Sequence, residues 1–296
     1  MTGPRIALIG FGEVGQILAE DLVKAGATDI AAYDILFDEP DSIPSGALAA
    51  HRVRACASAA DAAREADLIL CAVTAASDLD AAKSVVPGLK PGVLYADFNS
   101  ASPGMKIKAA AIIEGAGGRY VEAAVMTPIG PKRIASPMLL GGPHAEEFRR
   151  FSEPLGFKGE VFSTELGRAS ATKMCRSVMI KGIEALLAES LLTARRYGVE
   201  HVVLNSLSDL LPVGDWEKLA RYMLSRSLAH GVRRAEEMRE VAGTVREAGL
   251  EPLMSAACAQ RQDWAAAHKT ALAASDLDGM LDAILKDIGA APGGAT

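Results

Sequence analysis

Lys173, Ser177 and Lys181 recur at i, i+4 and i+8, which puts three polar side chains on one face of a helix. The residues between them, Met174, Val178, Met179 and Ile180, are apolar, unlike those of a solvated basic stripe. A lysine near the start of a helix opposes the helix dipole, so Lys173 needs another reason to be there. A buried lysine beside another positive charge has its pKa lowered, which suits it to give and take a proton near neutral pH. A second polar set is Asp97-Phe98-Asn99-Ser100-Ala101-Ser102-Pro103. It offers an amide and hydroxyls to a small polar substrate. Ser102 and Pro103 also read as a helix N-cap and first helical residue. The two readings are compatible, with Ser102 capping while Asn99 and Ser100 face the ligand.

These groups need elements that position them. Arg5 to Ile9 is an apolar run followed at once by Gly10-Phe11-Gly12-Glu13-Val14-Gly15 and then by a helical pattern from Gln16 to Leu22. Strand, G-x-G-x-x-G and helix in that order are the context of a dinucleotide site. Gly10 permits the turn, Gly12 lets backbone N–H groups approach a pyrophosphate, and Gly15 lets the helix pack close to the strand. The next apolar run, Asp29 to Tyr33, ends in Asp34, where an acid binds the adenine ribose hydroxyls. Asp34 would repel a 2′-phosphate and no arginine follows it closely, which favours NAD over NADP. The competing reading is an ordinary glycine turn and a solvated aspartate.

Further strands are expected at Arg52–Cys56, Asp67–Val73, Gly92–Asp97, Arg119–Val125, Met138–Leu140 and Val161–Phe162. Helices are expected at Ser58–Glu65, Ser77–Val86, Pro103–Gly115 and Glu146–Phe151. This alternation predicts an α/β fold with a doubly wound parallel sheet. From Ser170 the pattern becomes helical, with segments Ser170–Tyr197, Glu200–Leu211, Asp215–Ala229, Val232–Glu247, Leu253–Leu272 and Leu277–Ile288. The chain therefore reads as a dinucleotide-binding domain over 1–165 and an all-helical C-terminal domain over 166–296, with a frayed tail at Ala290–Thr296. The first of those helices would span roughly 40 Å, more than a small domain covers alone. That length predicts a homodimer with helices of both subunits packed together.

At 296 residues the chain can hold two domains with a well-buried core. The net charge of −6 argues against a general nucleic-acid binder. No apolar run is long enough for a membrane span, and Met1 leads almost directly into the first strand, leaving no room for a signal peptide. Cys56, Cys71, Cys175 and Cys258 are scattered without a CxxC pair. They read as reduced thiols of a cytoplasmic protein with neither a zinc site nor disulfides.

The set GFGEVG, DFNSASP and GRASATK resembles the β-hydroxyacid dehydrogenase superfamily, which includes 3-hydroxyisobutyrate, tartronate semialdehyde and 6-phosphogluconate dehydrogenases. The resemblance covers essentially the whole chain. It implies an oxidoreductase moving a hydride between NAD(P) and the CH–OH group of a small hydroxy acid or related alcohol. It implies that Gly10, Phe11, Gly12, Glu13, Val14, Gly15 and Asp34 bind the cofactor, with Val73 and Thr74 along its ribose. Asn99 and Ser100 would contact substrate, and Lys173 would be the acid/base. Two departures from the family pattern bear on the substrate. Ser177 stands where an asparagine is frequent. Glu122-Ala123-Ala124-Val125-Met126-Thr127-Pro128 stands where D-A-P-V-S-G-G is frequent. Met126, Thr127 and Ser177 thus become candidate pocket residues. His230, with an arginine from the same segment, could supply the missing carboxylate donors, although a surface charge cluster is the blander reading there. The alternatives to a dehydrogenase are an imine reductase, against which Lys173 counts, and a non-catalytic NAD-binding sensor.

Overall fold

Short apolar runs bounded by glycine, proline and aspartate become buried strands because both faces of a parallel sheet are covered. The computed structural model describes residues 3–207 and 214–289. The chain divides into two compact units, Met1–Met174 and Cys175–Thr296.

In the first unit the elements run β1 (Arg5–Ile9), α1 (Glu13–Lys24), β2 (Asp29–Tyr33), α2 (Ile43–Ala47), β3 (Arg54–Ala55), α3 (Ala59–Ala63), β4 (Leu68–Cys71) and α4 (Asp78–Val85). They continue with β5 (Leu94–Asp97), α5 (Pro103–Gly115), β6 (Arg119–Val125), α6 (Ile129–Lys132), β7 (Pro137–Gly141), α7 (Ala145–Ser152) and β8 (Lys158–Ser163). One sheet results, in the order β3-β2-β1-β4-β5-β6-β7-β8. Side chains alternate between its faces. Ile6 and Leu8 join Leu68, Leu70, Val121 and Leu140 in one core. Ala7 and Ile9 join Ile69, Cys71, Tyr95 and Ile113 in the other. Each such leucine or isoleucine contributes about 1.5–3 kcal/mol by leaving water.

The wholly parallel expectation needs one correction. β6 and β7 pair antiparallel, with Glu122 opposite Gly141 and Val125 opposite Met138. The intervening segment, 126–136, holds only the short α6 and a 3-10 turn, too little for the crossover that a parallel neighbour requires. The last strand is longer than the two residues expected. β8 covers Lys158–Ser163 at the sheet edge, where alternate residues stay exposed.

Helix α8 (Arg168–Tyr197) begins in the first unit and runs unbroken through Gly182. The second unit adds α9 (Glu200–Ser206), α10 (Trp216–Glu247), α11 (Leu253–Ala266) and α12 (Leu277–Asp287). The two helices expected on either side of residue 230 meet end to end at a kink within α10, where His230 has non-helical φ −123° and ψ 17°. The adjoining Gly231 explains how α10 and α11 come so close, because a Cβ there would overlap the Gln262 carbonyl. Leu187, Leu191, Leu204, Trp216, Leu224, Leu228, Leu281 and Ile284 form this unit's core. Residues 208–211 of the expected helix and the expected frayed tail Ala290–Thr296 lie outside the described residues. Among the described residues, no helix is long and apolar enough to cross a membrane.

Candidate active site

Three strand ends come together around the glycine turn. β2, β1 and β4 are adjacent and parallel, so the residues after them share one sheet edge: Asp34 after β2, Gly10–Gly15 after β1, and Val73–Thr74 after β4. Gly10 has φ +96°, and a Cβ on it would overlap the Ala72 carbonyl oxygen and reach Val73. Only glycine makes this turn against the neighbouring strand. A Cβ on Gly15 would overlap the Gly10 carbonyl, so α1 sits directly on the turn. Gly12 differs, since a Cβ there would meet no atom within 4 Å. As the N-cap of α1 it brings no side-chain acceptor, so the first-turn N–H groups keep their capacity for an anion. These features fit the phosphates of a dinucleotide.

Asp34 also braces the turn. Its Oδ2 accepts from Phe11 N–H at 2.7 Å and its Oδ1 from Leu36 N–H at 3.0 Å. The Phe11 side chain is fully buried, packed edge-on against Phe37 and His51, and its carbonyl accepts from Gln16 Nε2 at 3.0 Å. Glu13 and Thr74 are exposed, and Val14 and Val73 are half-buried.

The turn after β5 adjoins β4, but its asparagine is inward. Asn99 is 4% exposed. Its Oδ1 accepts from Val73 N–H at 2.7 Å, and its Nδ2 donates to Asp78 Oδ1 at 2.8 Å. The expected substrate-facing amide therefore serves as a brace between two turns. Ser100 is half-buried, and Ser102 caps α5 by accepting from Met105 N–H at 3.4 Å.

Beneath Asn99 lies a cluster of charges that the motifs did not reveal. Lys106, Asp78 and Asp97 are all buried. The Lys106 ammonium lies 2.6 Å from Asp97 Oδ1 and 3.9 Å from Asp78 Oδ2. Asp97 also accepts from Tyr120 OH at 2.6 Å and from Asn99 N–H at 2.9 Å. Burial opposes the charge on Lys106, yet the Asp97 and Asp78 carboxylates outweigh it and hold its pKa above the usual lysine range. Two acids share one ammonium, and burial, helped by the charge of Asp97, pushes Asp78 up to about 7. A sequence signal existed in Asp97, which ends an apolar strand, whereas Lys106 shares its helix with Lys108 and Glu114 and nothing local marked it as buried.

Glu122 is a second unforeseen residue. It is fully buried on β6, where its Oε2 accepts from Gly167 N–H at 2.8 Å and its Oε1 from Ser170 N–H at 2.6 Å. A carboxylate at a helix N-terminus satisfies otherwise unpaired donors and favours the dipole. It fixes the start of α8, and Lys173 is half-buried one turn further on. Met126 and Thr127 follow β6 and are half-buried. Met126 N–H donates to the Pro137 carbonyl at 2.9 Å, and the Thr127 hydroxyl is buried without a hydrogen-bond partner among the described residues.

Ser177 and His230 belong to the second unit. Ser177 is buried, and His230 Nε2 lies 3.0 Å from an Arg226 guanidinium nitrogen. Of the arginines near His230, Arg234 is buried and paired with Glu184, while Arg233 is exposed. Lys181, expected on the face of Lys173, is buried and paired with Glu237. All four cysteines are free. Glu200, His201 and Asp278 cluster without any metal-ligand spacing in the sequence. Arg195 sits among them, 2.5 Å from Glu200 Oε1 and 3.2 Å from Asp278 Oδ2, which makes the cluster an ion-pair network.

Comparison with known proteins places this geometry. Residues 5–158 match the NAD binding domain of 6-phosphogluconate dehydrogenase, and residues 194–265 match a domain of unknown function, DUF1932. The chain is 36% identical to a conserved hypothetical protein of Sinorhizobium meliloti 1021 of known structure, with a TM-score of 0.72 and 97% of each chain covered. It is 31% identical to a conserved protein of unknown function whose structure is similar to 3-hydroxyacid dehydrogenases, with a TM-score of 0.68 over 88% of this chain and 96% of that one. Mitochondrial 3-hydroxyisobutyrate dehydrogenase of Homo sapiens is 25% identical over 69% of this chain. The match spans 61% of that relative's length.

Proposed function

Because the chain belongs to the NAD-binding family of 6-phosphogluconate dehydrogenase, within the β-hydroxyacid dehydrogenase superfamily, we propose that it oxidises the CH–OH group of a small hydroxy acid or related alcohol, or runs the reverse reduction, with Lys173 as acid/base. The observation that carries this reading is the shared edge of β2, β1, β4 and β5, which gathers Asp34, the glycine turn, Val73–Thr74 and Asn99–Ser100. When bound, the nicotinamide supplies the hydride acceptor or donor. The N-terminus of α1 holds the pyrophosphate through backbone N–H groups, and Asp34 takes the adenine ribose hydroxyls. A carboxylate at that position repels a 2′-phosphate, so NAD is preferred over NADP. The Lys173 amine takes the substrate hydroxyl proton as the hydride leaves and returns it in the reverse direction. Ser100 orients a substrate oxygen, and Asn99 acts one step back by holding its turn. Met126 and Thr127 shape specificity, with Met-Thr-Pro in place of Ser-Gly-Gly selecting a substrate other than the family's usual small hydroxy acids.

The test is a panel of hydroxy acids and alcohols with NAD or NADP, followed at the reduced-nicotinamide absorbance band. Turnover on at least one member, with NAD favoured, is the expected result. Tight nucleotide binding without turnover on that panel or on imines would overturn the dehydrogenase reading in favour of a sensor. We further propose a homodimer through α8, on which Met179 and Leu186 are 64% and 58% exposed at helical spacing from Cys175. Light scattering on the purified chain should give twice the chain mass.

A further inference from the structure

One buried side chain joins the turn after β4 to the turn after β5. Asn99 Oδ1 accepts from Val73 N–H, and Asn99 Nδ2 donates to Asp78 Oδ1. A carboxamide has two faces of opposite polarity. It presents oxygen to Val73 only while its nitrogen side meets an acceptor. An ionised Asp78 is acceptor-only and enforces that orientation. The opposite orientation would set NH2 against an N–H and a carbonyl against a carboxylate.

Val73 in turn adjoins the glycine turn, because a Cβ on Gly10 would lie 3.0 Å from Val73 Cγ1. The chain of contacts from Asp78 through Asn99 and Val73 thus ends at the nucleotide cradle. Asp78 itself is fully buried in the first turn of α4, too deep to touch a ligand. Replacing a buried charge cluster by apolar residues is often neutral or stabilising, so a packing role does not account for its charge.

We propose that Asp78 is a positioning residue, holding the Asn99 carboxamide so that the Val73–Thr74 turn stays locked against the glycine turn for nucleotide binding. This inference rests on nucleotide binding and not on the hydride-transfer reading. The groups facing Asp78 are Asn99, Asp97 and Tyr95 from β5 and its turn, Cys71 from β4, Lys106 from α5 and Tyr120 from β6. Burial and Asp97 raise the Asp78 pKa to about 7, with Lys106 opposing them. Protonation turns Asp78 from a charged into a neutral acceptor, so the clamp weakens without breaking as pH falls through neutrality.

The test is NADH affinity of the full chain, read by NADH fluorescence between about pH 6 and about pH 8. Wild-type affinity should weaken toward the acid end. Asp78→Leu removes the acceptor while keeping the branched shape and should weaken binding by about tenfold at the alkaline end, the scale of a hydrogen bond to a charged group. Asp78→Asn keeps an acceptor but cannot titrate. It should match wild type at the acid end and bind within about threefold of it at the alkaline end, with no pH dependence from this site. A folded Asp78→Leu protein that binds like wild type, or an Asp78→Asn protein that keeps the wild-type pH profile, overturns the proposal. A measurement on the wild type needs no variant to fold. The Asn99 side-chain amide and Val73 N–H resonances should titrate together near neutral pH, and invariant resonances would contradict the clamp. If wild type fails to bind any nicotinamide nucleotide, the nucleotide reading fails while this titration still decides the clamp.

Discussion

The glycine turn and the charge cluster under Asn99 occupy the same sheet edge but are built by opposite means. In the turn, absence of side chains is what matters. Gly10 and Gly15 are fixed by backbone atoms that a Cβ would overlap, whereas Gly12 faces outward with nothing near its missing Cβ. In the cluster, side chains are everything. Lys106, Asp97, Asp78, Asn99 and Tyr120 hold one another with no exposed atom of consequence. The turn builds a surface for a ligand, and the cluster fixes the loops that border it.

The sharpest way to break this contrast is within the motif itself. Gly15→Ala drives a methyl into the Gly10 carbonyl and should cost about 3 kcal/mol or more of stability, read by denaturant unfolding. Gly12→Ala should leave the unfolding free energy within about 1 kcal/mol of wild type. It should instead weaken NADH binding about tenfold or more, because the methyl now overpacks the pyrophosphate contact. Equal losses of stability at both glycines would remove the distinction between a structural and a ligand-facing glycine.

Next in size is Glu122→Ala, which leaves the buried Gly167 and Ser170 N–H groups of α8 without their carboxylate. It should destabilise by about 2–4 kcal/mol, in line with loss of a cap and of buried charged hydrogen bonds. The smallest effect is a change in the slope of stability with pH. Asp78 has a folded pKa near 7, above its ordinary 3.8. The folded state therefore binds the extra proton between those values, and stability from this group falls as pH rises across that window. Asp78→Asn should flatten that fall. Asp67 provides the opposite sign. Burial opposes its charge, but hydrogen bonds from Lys90 and Arg5 hold it near 2, so its contribution is present above pH 3.8 and lost as pH falls toward 2. An unchanged slope in Asp78→Asn would mean that Asp78 is not the group protonated on folding.

How much of this was legible in the sequence follows from the same contrast. Steric demands of a turn leave glycines at fixed local spacing, so Gly10, Gly12, Gly15 and Asp34 could be read in order. Strand β6 came out at Arg119–Val125 and α5 at Pro103–Gly115, because a clean apolar run and a Ser-Pro cap are local signals. The Asp78–Asn99 and Lys106–Asp97 pairs were illegible, since their partners meet only after β4, β5 and their helices are assembled. For the same reason Asn99 read as a ligand donor, although its amide is spent on Val73 and Asp78. The antiparallel β6–β7 pair was hidden because the sequence does not state which way a short connection returns. Glu122 was visible as a charge inside an apolar strand, but its use as the cap of α8 depends on a long-range contact.

Lys173 is the residue proposed to give this nucleotide-binding sheet a proton donor. The direct measurement is Lys173→Ala, with NADH affinity and turnover determined on the same preparation using the best substrate of the hydroxy-acid panel. The account predicts a fall in kcat of about 10²–10⁴-fold with NADH affinity within about twofold of wild type. Turnover near the wild-type rate in a variant that still binds NADH would contradict it.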